Sequence, residues 1–199
     1  KVSWITIAAN FVLSAFKLAA GIIAKSGAMV SDAVHSASDV LSTFVVMAGG
    51  KILGKKADDN HPYGHERMEG VASMFLSVIL AVTGIGIGIS GINKITGGGE
   101  LTVPGVLALV AAAISIMVKE VMFWYTRHYA KKLNPGALMA DAWHHRSDAL
   151  SSVGSLIGIG GALLGVPILD PIASVVICLF IIKAAFDIAK DAFDKMVDK

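Results

Sequence analysis

The chain has 199 residues, 55% of them hydrophobic, and a mean hydropathy of +0.70, well above what a soluble domain of this length needs. Its formal net charge of +2 is too small to attract a polyanion, and the basic residues sit at the ends of apolar blocks rather than along one stripe, which excludes nucleic acid as a partner. The single cysteine, Cys178, lies in an apolar run and forms no internal disulfide, so it reads as a small core residue.

Blocks of roughly 20 or more mostly apolar residues can cross a bilayer core of about 30 Å as helices. The first runs from about Val2 to Ala24; it has no basic region before it and further blocks follow, so it reads as a spanning helix rather than a signal peptide. After the break at Lys25-Ser26-Gly27 the second runs from Ala28 to Leu53. The polar stretch Lys55 to Arg67 leads into the third, Met68 to Ile95, which ends at the glycine run Gly97 to Gly99. The fourth, Val103 to Tyr129, opens at Thr102 and Pro104. The fifth, Pro135 to Leu164, and the sixth, Pro171 to Val197, follow Asn134 and Asp170, each expected to be an N-cap before a proline in the first turn. These blocks predict an all-α membrane protein with six transmembrane helices and leave no room for a soluble domain.

Cytoplasmic loops retain lysine and arginine. Lys1, Lys51, Lys55, Lys56, Arg67, Arg127, Lys131, Lys132, Lys190, Lys195 and Lys199 gather on one side, against Lys25 and Lys94 on the other, which predicts that both termini are cytoplasmic. Lys17, Lys119, Arg146 and Lys183 fall inside helices, where each must snorkel, pair or face a wet cavity. Lys119 beside Glu120, and Lys183 four before Asp187, read as structural pairs.

The segment Ser31-Asp32-Ala33-Val34-His35-Ser36-Ala37-Ser38-Asp39 recurs as Ala140-Asp141-Ala142-Trp143-His144-His145-Arg146-Ser147-Asp148, sharing the pattern D-A-x-H-x-x-S-D. The copies fall on the second and fifth helices, the middle members of two three-helix halves. An odd number of helices per half forces the halves into opposite orientations, an inverted repeat whose binding sites lie near the midplane. Residues four apart share a helix face, so His35 with Asp39 and His144 with Asp148 each form a two-ligand clip. At 1.5 Å per residue His35 and Asp39 lie roughly 10 and 16 Å below the outer helix end, a depth the fifth helix matches from the other side. Antiparallel helices set His35 level with Asp148 and Asp39 level with His144. Two nitrogens and two carboxylate oxygens make a tetrahedral site that suits Zn2+, with Co2+ and Cd2+ as competitors. Two carboxylates balance one divalent ion, and protons are the substitute that keeps the emptied site from carrying bare charge in the membrane.

Asp32 and Asp141 lie three before each histidine; each either attracts cations along the approach to the site, orients its histidine from behind, or serves as a cap or salt-bridge partner. His145 and Arg146 are rotated off the ligand face. In the polar loop, Asp58, His61 and His65 have spacings that a small loop folds around one metal ion, and a solvated charged loop fits the same residues. Gly86-Ile87-Gly88-Ile89-Ser90-Gly91 matches a dinucleotide pattern formally but has no preceding strand. Gly84 with Gly88, Gly154 with Gly158, and Gly161 with Gly165 read as small-residue contacts between helices.

With repeated H-x-x-x-D pairs on the second and fifth of six helices, plus Asp58-Asp59-Asn60-His61 and Tyr63-Gly64-His65, essentially the whole chain resembles the cation diffusion facilitator family. The resemblance implies a homodimeric Zn2+/H+ antiporter that exports metal from the cytoplasm by alternating access, in the plasma (inner) membrane of a prokaryote. It implies that His35, Asp39, His144 and Asp148 form the transport site and that Asp58, His61 and His65 hold a loop ion. It also implies a charge interlock between Arg67 and Asp198 at the dimer interface. His35 matches the zinc-preferring members of the family; members with aspartate there take a broader range of metals, and those with other residues include manganese and iron transporters. Members usually carry a metal-binding cytoplasmic domain after the sixth helix; this chain stops at Lys199, either because that domain lies beyond this stretch of sequence or because the protein lacks it, so its metal sites and its share of the dimer contact are not carried over.

A passive metal channel would share these ligands without proton coupling, but four strong ligands oppose rapid conduction. An enzyme would need an open coordination position and a general base, and the chain has no H-E-x-x-H helix or nucleophile motif.

Overall fold

The apolar blocks form α1 (Val2–Ile23), α2 (Gly27–Leu53), α3 (Glu66–Ile95), α4 (Val106–Leu133), α5 (Pro135–Leu163) and α6 (Leu169–Met196). The structure, a computed structural model, describes residues 2–53, 66–97, 101–133 and 135–197. Among the described residues four helices contain stretches long and apolar enough to cross a membrane, Trp4–Ile23, Gly70–Ile95, Val106–Tyr129 and Leu169–Asp194. The other two, α2 and α5, carry the charged repeat, which lowers their hydropathy; they are shielded by packing, α2 against α1, α3, α5 and α6, and α5 against α2, α4 and α6. Large apolar side chains such as Phe75, Val82, Val121 and Phe186 face outward from the apolar helices, as a lipid-facing surface requires.

Each helix packs on its counterpart in the other half, α1 on α4, α2 on α5 and α3 on α6, as a two-fold repeat demands. The symmetry fails in one place. α2 packs along α6, whereas among the described residues α3 and α5 form no comparable contact. The interior is built from small residues, with Ala20, Ala24, Ala28, Ala108, Ala111 and Ala112 buried around Met29 and Ile159, so the backbones of α1, α2, α4 and α5 approach closely. On α3, Gly84 and Gly91 face α6, where an added Cβ would come within 3.1 Å of Ile181 and 2.8 Å of Val175. On α5 the close contacts are Gly158 against Ala173 and Gly161 against Leu169, while Gly154 faces open space and Gly165, at φ 106°, forms the turn that ends the helix.

The helix starts differ from the expected caps. α6 begins at Leu169 with no side-chain cap, Ile168 standing at the cap position. Asp170 instead reaches across to the start of α2, accepting hydrogen bonds from Ser26 Oγ at 2.6 Å and the Gly27 amide at 2.8 Å. Ser26 Oγ also accepts from the Met29 amide at 3.1 Å, so one serine and one distant aspartate together serve the free amides of α2. The carboxylate is better used there, because Pro171 has already removed one amide from the first turn of α6. Ser31 Oγ lies 2.7 Å from Ser174 Oγ and 3.7 Å from Cys178 Sγ, continuing this polar seam along α2 and α6. α4 begins at Val106 rather than near Val103, since the Gly105 amide donates to the Ala24 carbonyl at 2.8 Å and ties the preceding segment to the end of α1. Asn134 lies outside the described residues.

Candidate metal centre

The repeat places His35 and Asp39 one turn apart on α2, both partly buried, and Asp148 buried on α5. One ligand atom from each of these three lies within 4.8 Å of the other two. The edge of a tetrahedron with bonds of about 2.0 Å is roughly 3.3 Å, so small side-chain movements bring the three donors onto one ion. His144, one turn before Asp148, has its Nε2 3.8 Å from Asp148 Oδ1 and is 49% exposed. It stands at the mouth of the group rather than within it. His35 Nδ1 and Asp39 Oδ2 are buried and have no hydrogen-bond partner, an arrangement that is costly unless a cation or proton satisfies it.

All four residues line one cavity of about 650 Å³, to whose wall α6 contributes Ile177, Phe180, Lys183 and Asp187. Hydroxyls hold the helices locally: Ser38 donates to the His35 carbonyl at 2.6 Å, Ser42 and Thr43 to the Asp39 carbonyl at 3.0 and 2.8 Å, and Ser151 to the Asp148 carbonyl at 2.9 Å. Such bonds to a preceding turn bend a helix slightly, and here they fall at three of the four candidate ligands.

The intramembrane lysines are the residues that sequence reasoning placed wrongly or left open. Lys119 does not pair with Glu120, its neighbour in the chain, which is rotated about 100° around the helix. Its Nζ donates to Asp148 Oδ2 at 2.6 Å, fully buried, while Glu120 faces Arg146 at 3.7 Å. Arg146 also lies over the Phe123 ring at 4.8 Å. Lys17 of α1 meets Asp32 Oδ2 at 2.8 Å, and the same ammonium donates to Ser36 at 3.0 Å and Ser152 at 2.9 Å. Ser151 and Ser152 donate to Asp32 at 2.8 and 2.9 Å. Asp32 is therefore fully engaged in a buried network joining α1, α2 and α5, and it does not hold His35. A lysine set within the apolar stretch of a helix was the available signal for both pairs, since such a charge must find a partner. Among the described residues no ion pair joins Lys183 to Asp187; both face the cavity.

Asp141 and Arg67 fall on α5 and α3. Asp58, His61, His65 and Asp198 lie outside the described residues.

Comparison with known proteins agrees with this architecture. The chain is 38% identical over 195 residues to an uncharacterized transporter of Methanocaldococcus jannaschii, covering 98% of this chain and 69% of that protein. It is 34% identical over 194 residues to the manganese efflux system protein MneS of Bacillus subtilis, covering 98% of this chain and 67% of the relative. Against metal tolerance protein C1 of Arabidopsis thaliana it is 33% identical over 213 residues, and there it spans all of this chain but only 45% of the plant protein. The model of the cation efflux transmembrane domain matches residues 3–197, and the chain thus belongs to the cation efflux family of membrane transporters of divalent metals.

Proposed function

We propose that the protein exports Zn2+ from the cytoplasm in exchange for protons, with His35, Asp39, His144 and Asp148 as the transport site. The observation that carries this reading is the convergence of His35, Asp39 and Asp148 within 4.8 Å, with His144 at 3.8 Å from Asp148, on one cavity. Two imidazoles and two carboxylates favour a borderline ion in tetrahedral geometry. Alternating access is supported by the unequal packing of the halves: the α2–α6 end is tied by the Ser26, Asp170, Ser31 and Ser174 contacts, while among the described residues its counterpart between α3 and α5 shows no comparable packing. Such unequal ends also disfavour a passive channel. The reading extends to a homodimer with both termini cytoplasmic in a prokaryotic plasma membrane, with Arg67 and Asp198 as a charge pair between copies and Asp58, His61 and His65 as a loop site for a further ion.

Manganese is the second reading, favoured by the names of the relatives MneS and MneP, both manganese efflux system proteins. Manganese prefers oxygen donors, so the two histidines weigh against it. Purified protein in vesicles carrying internal pH and metal dyes tests both. Zn2+ movement faster than Mn2+, accelerated by an opposed proton gradient and accompanied by a pH change, is the expected result. Metal flux with no pH change would establish the channel, and faster Mn2+ flux would establish the second reading.

A further inference from the structure

The ion pair between Lys119 and Asp148 alters the charge count at the site, and this inference rests on the transport-site reading above. Lys119 is fully buried, near the middle of the 28-residue α4. Its Nζ lies 2.6 Å from Asp148 Oδ2, and Glu120, the adjacent acid, is turned toward Arg146. Among the described residues Asp39 has no such cation, and its Oδ2 has no hydrogen-bond partner. The ionised site thus sums to one net negative charge before a metal arrives and one net positive charge after, rather than the neutral filled site that two carboxylates alone would give.

We propose that Lys119 is a positioning residue that acts through Asp148 in two ways: it weakens divalent-cation binding, and it confines Asp148 to ligation by a single oxygen. The first follows from charge, because a fixed ammonium beside the ion raises the free energy of the filled site where the dielectric is low. A carrier benefits, since a tightly held ion is not released. The second follows from geometry. Oδ2 is taken by the ammonium, and Oδ1 is the oxygen that faces His144. A carboxylate reduced to one donor suits four-coordinate Zn2+, whereas larger or more oxygen-seeking ions such as Cd2+ and Mn2+ gain from both oxygens.

Two neutral replacements separate these effects. Lys119→Met removes the charge and the hydrogen bond at similar volume; Lys119→Gln removes the charge but keeps a donor for Oδ2. Titration calorimetry of the full chain in detergent, with Zn2+, Cd2+ and Mn2+ in turn, is expected to show Zn2+ binding at least tenfold tighter in both variants. The ratio of Cd2+ or Mn2+ affinity to Zn2+ affinity should rise severalfold in Lys119→Met and stay near the wild-type value in Lys119→Gln. Metal-induced shifts in unfolding temperature give the same ranking. Lys119→Arg, which keeps the charge, should retain wild-type affinity. If Lys119→Met fails to fold, Lys119→Gln and Lys119→Arg still decide the charge effect. A Lys119 that only ties α4 to α5 would lower stability and leave metal affinity unchanged or weaker, and that result overturns the proposal. Asp39→Ala is the control for the underlying reading: if it binds metal as the wild type does, the transport-site assignment fails, whatever Lys119 does.

Discussion

In the first half of the molecule Lys17 of α1 reaches Asp32, the opening aspartate of D-A-x-H-x-x-S-D, and Asp39, the closing one, has no cationic partner among the described residues. In the second half the lysine of α4 reaches Asp148, the closing aspartate. The repeat therefore duplicates the ligands but not their counter-charges. Two aspartates that are equivalent by sequence sit in different electrostatic settings, one unpaired and one held, and the same substitution at the two positions should not have the same effect.

The largest effect is expected away from the ligands. Asp32→Ala leaves the Lys17 ammonium buried with only two serine hydroxyls, and removing one member of a buried pair costs about 3–5 kcal/mol. Thermal unfolding in detergent should show a large fall, relieved when Lys17→Met is added, because the buried charge is then gone; a fall no smaller in the double variant would show that the network matters through packing rather than charge. Asp148→Ala comes next. It exposes Lys119 to the same penalty and removes a ligand, so both stability and Zn2+ flux should drop. Asp39→Ala sharpens the contrast, since it removes an orphaned carboxylate and strands no cation: flux should be lost while the unfolding temperature of the metal-free protein changes by no more than about 0.5 kcal/mol equivalent, or rises. Equal destabilisation by both alanine variants would break the comparison.

At the histidines the halves also differ. His35→Asp should widen selectivity toward Cd2+ by supplying an oxygen donor inside the group, whereas His144→Asp, at the half-exposed mouth, should change the Zn2+/Cd2+ flux ratio less. Equal shifts would place the two histidines on the same footing. The smallest effect concerns association between copies. Arg67→Glu should lower the dimer fraction by no more than about 1 kcal/mol, and adding Asp198→Arg should partly restore it if the two charges pair. Strictly additive losses would rule the pair out.

The fold, and the helix faces that carry the candidate ligands, were legible because they rest on local periodicity. Apolar runs of membrane length locate α1, α3, α4 and α6, and the four-residue step from His35 to Asp39 fixes a shared helix face whatever the tertiary structure. What was not legible depends on pairs far apart in the chain. Lys17 to Asp32 crosses a turn and Lys119 to Asp148 crosses the α4–α5 connection; neither follows a helical step, so adjacency made Glu120 the obvious and mistaken partner. Asp170 misled for the same reason. Its place before Pro171 has the form of a local cap, but the amides with greater need lay at the start of α2. That His144 is half-exposed while its repeat mate His35 lies within the donor group could not be read from a shared motif, because exposure depends on the tertiary packing around each copy.

The glycine contacts on α5 have a mechanical meaning. At Gly158 the helix meets Ala173 and the Leu169 carbonyl of α6 so closely that a side chain there would force the helices apart, and at Gly161 an added Cβ would displace the Leu169 side chain. If α5 tilts against α6, those contacts would serve as its fulcrum. Asp148 lies ten residues back along the same helix, a lever arm of about 15 Å. A tilt of α5 by about 10° around the glycines would carry Asp148 some 2.6 Å while the pivot stays in place. That displacement is enough to turn three loosely gathered donors into a closed coordination shell or to pull them apart.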